Sequence, residues 1–479
     1  MVPETVNHFI GGRQARSAFG KTYGVPDPAT GKEYARVAVG VAGDVNQAVL
    51  AAGSALEQGP WPGMDYAERG RVLRDIADAI DARRGDVAAA EALGTGLPVT
   101  QGREQAAQAG ELFRAAADLI TARAAPDAPA RSYLVERPAG IAGLITSWHT
   151  PFLAQARAVA PALAAGATIV LKPDEWAPLP AALLAEICTS AGLPDGVLNI
   201  VHGSLHHRAP GTQARDALIA HPRVARLWFA GDAATGQTVM LDAAAQRKHL
   251  ITELVGGSPV LIFADADLDR AAESALFGAF ALGGQRRTAT STILVQRPAY
   301  DTLVGRLTER ADRIRVGPPA DPATELGPVP HADHYDKLRS CVRLGVREGA
   351  RLATGGRRHA GLPEGNYLAA TVLADVTPSM RTFTAQVCGP VVRVTPFDTD
   401  EEAVSLANAV GHPAAAYIWT ADPRRARRLA PAIESASIWV NSSNPRDQLT
   451  DEVNVGFFTV SRSLFIADGD DPPAPRFGA

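Results

Sequence analysis

Only three cysteines, Cys188, Cys341 and Cys388, occur in 479 residues, and they stand too far apart for a disulfide framework or a CxxC metal pattern. They suit a reducing compartment. There is no HExxH and no Cys/His cluster at ligand spacing, and the pair His206-His207 stands by itself, so no metal is expected. Surplus charge is also missing. With 47 Lys and Arg against 51 Asp and Glu, the formal charge of -4 offers no basic field to nucleic acid or to an anionic membrane. The longest nearly uncharged stretch, Ala158 to Leu171, contains Pro161 and Gly166 and falls short of the ~20 apolar residues of a membrane span. Met1-Val-Pro-Glu-Thr carries no basic segment ahead of an apolar core, so no secretory signal is expected and the predicted location is cytoplasmic. Neither GxGxxG nor GxxxxGK[ST] follows any predicted strand. Small molecules and further subunits are the expected partners.

What is present is 46% hydrophobic residues, enough for more than one core and for two or three domains. Leu73, Ile76, Ala77 and Ile80 recur at helical spacing and predict an amphipathic helix after Ala67. From Gly140 short apolar runs alternate with helical segments: 141–145, 168–171, 197–201, 224–229 and 250–254. That alternation is the pattern of βαβ units around a parallel sheet. A second series, with runs at 260–263, 292–295, 391–394 and 437–440, predicts a second α/β domain. The polar, Pro-rich end, 469–479, is expected to be a mobile tail.

Several segments then fall in a telling order: Pro28-Ala29-Thr30-Gly31, Ser147-Trp148-His149-Thr150-Pro151-Phe152, Ala160 to Gly166, Leu171-Lys172-Pro173-Asp174-Glu175, Ala191-Gly192-Leu193-Pro194 and Gly389-Pro390-Val391. Over about residues 8 to 445 the chain resembles the aldehyde dehydrogenase superfamily. The resemblance implies a Rossmann-like NAD(P) domain over 1–122 and 140–253 and a catalytic-type α/β domain over 254–440. It also implies a small oligomerisation element with a divergent tail over 123–139 and 441–479. A homodimer or homotetramer is implied as well.

In that family a cysteine thiolate attacks the aldehyde, an Asn and backbone amides hold the oxyanion, nicotinamide takes the hydride, and a Glu activates water. Here the nucleophile motif reads Gly284-Gln285-Arg286-Arg287-Thr288, which puts Arg287 at the cysteine position. A guanidinium stays protonated and has no nucleophilic lone pair. Removing a catalytic nucleophile costs on the order of 10⁶ in turnover in a serine protease. By alignment the nearest thiol is Cys388. The oxyanion Asn corresponds to His149, and the base to Glu253, which is expected to form an ion pair with Arg287 inside the old tunnel. Trp148, Lys172 and Glu175 match the adenosine side of the cofactor site. Asp232 stands where a Ser touches pyrophosphate, a repulsion of about 1 to 4 kcal/mol at ~4 Å. Gln386 replaces the Glu that holds the nicotinamide ribose, and Arg215 falls near the adenine side, after an insertion around 204–210. NAD or NADP binding is therefore expected to be weakened or lost. The strand that should follow Val455 to Ser463 is not recognisable.

Three functions fit these residues. The first is a retooled enzyme in which Arg287, His149, Glu253 and Cys388 do acid/base chemistry on a carbonyl or carboxylate substrate, by isomerisation, dehydration or cyclisation. The second is a catalytically inactive binding or scaffolding subunit with a plugged tunnel. The third is an NAD(P)-dependent oxidoreductase acting on an aldehyde through a substitute nucleophile, or by direct hydride transfer from the hydrate.

Overall fold

The computed structural model describes residues 4–122, 132–203, 214–362, 364–411, 413–442 and 453–465. The insertion at 204–210, the His206-His207 pair and the tail at 469–479 lie outside them. Two seven-stranded sheets organise the chain. The first contains β1 (His8–Ile10), β2 (Arg13–Ala15), β3 (Ile141–Ile145), β4 (Thr168–Lys172), β5 (Leu198–Ile200), β6 (Val224–Gly231) and β7 (His249–Leu254), in the order β7-β6-β3-β4-β5-β1-β2. From β7 to β5 the pairings are parallel, while the β1-β2 hairpin adds on antiparallel. Buried parallel strands read as continuous apolar runs because both faces are covered. Ile169 and Leu171 enter one core and Val170 the opposite one.

The second sheet contains β8 (Ser258–Ile262), β9 (Thr290–Gln296), β10 (Arg351–Thr354), β11 (Thr371–Ala374), β12 (Val391–Phe397), β13 (Ala415–Trp419) and β14 (Ser437–Val440). Its order is β10-β11-β12-β9-β8-β13-β14, with only β10-β11 antiparallel. The break between the sheets falls between Leu254 and Ser258. The predicted helix after Ala67 is α1 (Tyr66–Ala82), which buries Leu73, Ile76, Ala77 and Ile80 and starts on a capping box between Asp65 and Glu68. It is followed by α2 (Arg84–Thr95) and α3 (Val99–Thr121).

One expectation is corrected at the C-terminal end. Thr459–Phe465 forms a strand, paired antiparallel with Ser132–Pro138 from Thr459↔Pro138 to Phe465↔Ser132. Val460 to Ser463 are exposed, so no buried apolar run announces this strand, and its partner lies far upstream in sequence. No helix among the described residues is long and apolar enough to cross a membrane, and no metal-holding group of His, Cys, Asp and Glu occurs among them.

Candidate active site

In the first sheet the chain runs from β3 outward to β5, then returns to the other side of β3 as β6. In open α/β sheets, ligands bind outside the carboxyl ends of the strands at such a reversal. Here those ends are Thr146 to His149 after β3 and Gly231-Asp232 after β6. A cavity of about 300 Å³ opens there, lined by Trp148, Lys172, Glu175, Arg215, Asp232, Lys337, Gln386 and Cys388. A second cavity, of about 720 Å³, lies beside it and is lined by Gln105, Arg157, Glu253, Phe277, Arg286 and Arg287 among others. Ser147, His149 and Ala230 belong to the walls of both. Glu253 and Arg287 also border a recess of about 170 Å³ with Arg157 and Asn454.

His149 follows β3 and precedes α4 (Pro151–Ala164). Its Nδ1 lies 3.1 Å from the Ser147 hydroxyl, and its buried Nε2 has no hydrogen-bond partner among the described residues. Burial, reinforced by His334, His331 and Lys337, holds its pKa well below the usual histidine value. The ring is therefore neutral at pH 7, and with Nδ1 accepting from Ser147, Nε2–H is a donor. Trp148 stacks on His149 at 3.6 Å between ring centroids and packs against His334 at 4.9 Å.

Arg287 sits in the loop between α5 (Leu268–Phe280) and β9. That loop turns through three successive left-handed residues, Leu282, Gly283 and Gly284. A Cβ on Gly284 would come within 2.4 Å of the Gly389 carbonyl, so the close approach requires glycine. The Gln101 side chain accepts the Leu282 amide at 2.6 Å and anchors the same turn. Next to Arg287, Arg286 is buried, with its guanidinium over the Phe277 ring at 5.4 Å.

Glu253 is carried by the edge strand β7, opposite Ala230 of β6. The expected Glu253–Arg287 ion pair is not formed. Both side chains face the large cavity, but one comes from the edge of the first sheet and the other from the loop ahead of β9, and among the described residues no ion pair joins them. The passage is open rather than plugged. Cys388 lies on the wall of the smaller cavity, not the larger, and burial pushes its thiol up to about 12. At neutral pH it is a thiol, not a thiolate, and it is not placed to replace the missing nucleophile.

The expected free carboxylate at the pyrophosphate position is also corrected. Asp232 is the N-cap of α6 (Ala233–Ala245), accepting from the Thr235 amide at 2.9 Å and the Thr235 hydroxyl at 2.7 Å. Its charge sits on the helix terminus where a phosphate would otherwise bind. Gln386 donates its side-chain amide to the Val255 carbonyl, tying the end of β7 to the segment before β12.

The ribose end of the smaller cavity fits a nucleotide. Lys172 supplies a buried ammonium, with burial lowering its pKa while Asp174 and Glu175 act in the opposite direction, and Glu175 supplies an acceptor. A donor and an acceptor at one point are what a ribose diol needs, and Arg215 and Lys337 add positive charge. Arg157 was not singled out from sequence. It and Gln155 are the polar side chains of α4, and both are buried. A charged residue inside so apolar a helix was the available signal.

A model of the aldehyde dehydrogenase family matches residues 15–456. The 5-carboxymethyl-2-hydroxymuconate semialdehyde dehydrogenase of Escherichia coli is 39% identical over 452 residues, covering 92% of this chain and 94% of its own. A 2-hydroxymuconic semialdehyde dehydrogenase of a Pseudomonas species is 37% identical, with 93% of each chain covered. Among solved structures, HpcC from Thermus thermophilus superposes with a TM-score of 0.91 at 37% identity, over 99% of this chain and 95% of that one. A betaine aldehyde dehydrogenase from Staphylococcus aureus in complex with NAD⁺ gives 0.89 at 30% identity, over 96% and 94%. With this sheet order, these paired cavities and these relatives, the chain belongs to the aldehyde dehydrogenase family.

Proposed function

We propose that this protein transfers hydride between a nicotinamide dinucleotide and a carboxylate-bearing aldehyde, taken as its hydrate, without passing through a thioester. The observation that carries the reading is the shared wall of Ser147, His149 and Ala230. On one side of it stand Lys172 and Glu175, and on the other Glu253 and Arg287. Relatives that are aldehyde dehydrogenases favour redox chemistry over isomerisation or dehydration, and an open cavity of about 720 Å³ favours catalysis over a plugged scaffold.

A bound dinucleotide would supply the hydride acceptor. The chain's own residues handle the rest. Glu253 takes the proton of one hydroxyl of the hydrate, Arg287 holds the resulting oxyanion, and the His149 Nε2–H donates to the same centre. The hydrate carbon then loses its C–H electron pair as hydride, so loss of one hydride and one proton converts RCH(OH)₂ to RCOOH with no other oxidant. Arg157 and Arg286 bring two more cations to the cavity, which suits a substrate carrying its own carboxylate.

The test is absorbance at 340 nm with NAD⁺ and NADP⁺, comparing a dicarboxylate semialdehyde with an uncharged aldehyde of equal length. Turnover of the charged substrate, reduced at least about a hundredfold in Glu253→Gln, is expected. No reduced cofactor with either substrate would overturn the reading.

A further inference from the structure

The turn that delivers His149 to the shared wall is strained. Thr150, the next residue, adopts φ 42 and ψ 61, a left-handed conformation that a β-branched residue takes at a cost of about 1 to 3 kcal/mol. Something must over-determine it. The Thr150 side chain makes no capping bond to α4, and Pro151 has no amide to offer. The Thr150 carbonyl accepts from Ala154 at 2.9 Å, which starts the helix but does not fix the residues before it.

The missing cap comes from a different helix. Glu91, in α2, reaches the start of α4 and accepts the Phe152 amide through Oε1 at 3.0 Å. Glu91 is fully buried, and its Oε2 has no partner among the described residues. A half-satisfied buried carboxyl costs about 1 to 3 kcal/mol, which an apolar side chain filling the same space would avoid. Stability alone is therefore a poor reason for a carboxyl here. What Glu91 supplies is an acceptor at the N-terminus of the helix that begins two residues after His149.

We propose that Glu91 is a positioning residue for the active site: by holding the Phe152 amide from α2 it fixes the Thr150–Phe152 turn and keeps His149 on the wall between the two cavities. Burial raises the Glu91 pKa to about 8 against the opposing effect of the Phe152 amide, and no charged side chain from the helices packed on α2 contributes. The carboxyl thus holds the turn mostly in its neutral form at pH 7. The catalytic significance of this contact rests on the reading given above; the contact itself does not.

Hydrogen-exchange mass spectrometry on the full ligand-free chain tests it, read on peptides spanning residues 146–156 and, as controls, on α1 and α3. Glu91→Leu should speed exchange at Phe152 by about tenfold or more, the loss of one well-made bond, with the control peptides unchanged. Glu91→Gln retains an acceptor of the same reach and should restore protection to within about threefold of wild type. If Glu91→Leu does not fold, Glu91→Asp replaces it, because its shorter side chain should lose the bond that Gln keeps. Unchanged exchange at 146–156, equal loss across α1 and α3, or failure of Gln to rescue would each overturn the proposal. None of these outcomes depends on turnover, so a failed hydride-transfer assay would leave this test intact.

Discussion

Arg287 and Glu91 show how one side chain can set the chemistry or the geometry of a whole cleft. Arg287 was legible from sequence because it interrupts a motif. Glu91 was not, because nothing in Ala90-Glu91-Ala92 distinguishes a buried carboxyl from one on the solvated face of a helix. Its environment gives a stability prediction. The native carboxyl keeps its proton to about pH 8, whereas in the unfolded chain it ionises near the ordinary value of 4.5. The native state therefore binds more protons between those values, and stability falls as pH rises through that window, by on the order of 4 kcal/mol at its upper end. Glu91→Gln removes this penalty. It should raise the Tm at pH 9 and leave it nearly unchanged at pH 4.5, by differential scanning calorimetry. Equal Tm values for the two proteins at pH 9 would contradict the assignment.

Among the elements, the terminus of α6 decides how a dinucleotide is received. The Asp232 carboxylate occupies the Thr235 amide and leaves a negative charge where pyrophosphate would approach. Asp232→Ser keeps a capping oxygen and removes the charge, so NAD⁺ affinity by calorimetric titration should rise about tenfold with helix stability within about 1 kcal/mol. Unchanged affinity would mean that Arg215 and Lys337 already neutralise the site. Sequence reading located the substitution but not its partner, since a helix cap and a repelling carboxylate look alike in one dimension. The same limit applies elsewhere. β3, β4, β6 and β8 are apolar runs buried on both faces and were readable. The exposed strand Thr459–Phe465 was not, because pairing rather than burial creates it. Arg287 and Glu253 were correctly brought to one cavity, but a contact between them is a matter of side-chain reach that spacing does not encode.

At the scale of the molecule, the two sheets each supply one half of the cleft: β3 and β6 present the nucleotide-shaped cavity, and the loop before β9 brings Arg287 to the substrate side. The family architecture persists although the residue that gives the family its covalent chemistry is replaced. Hydride transfer through a hydrate reconciles the two observations, since it uses the architecture and omits the thiol. The most direct test is a variant with Cys188, Cys341 and Cys388 all replaced by alanine, checked for native circular dichroism and assayed at 340 nm with a dicarboxylate semialdehyde and NAD⁺ or NADP⁺. Reduced cofactor should form at a rate within about threefold of wild type, because no thiol participates. Loss of the signal in a folded variant, with wild type active, would contradict a thiol-free route.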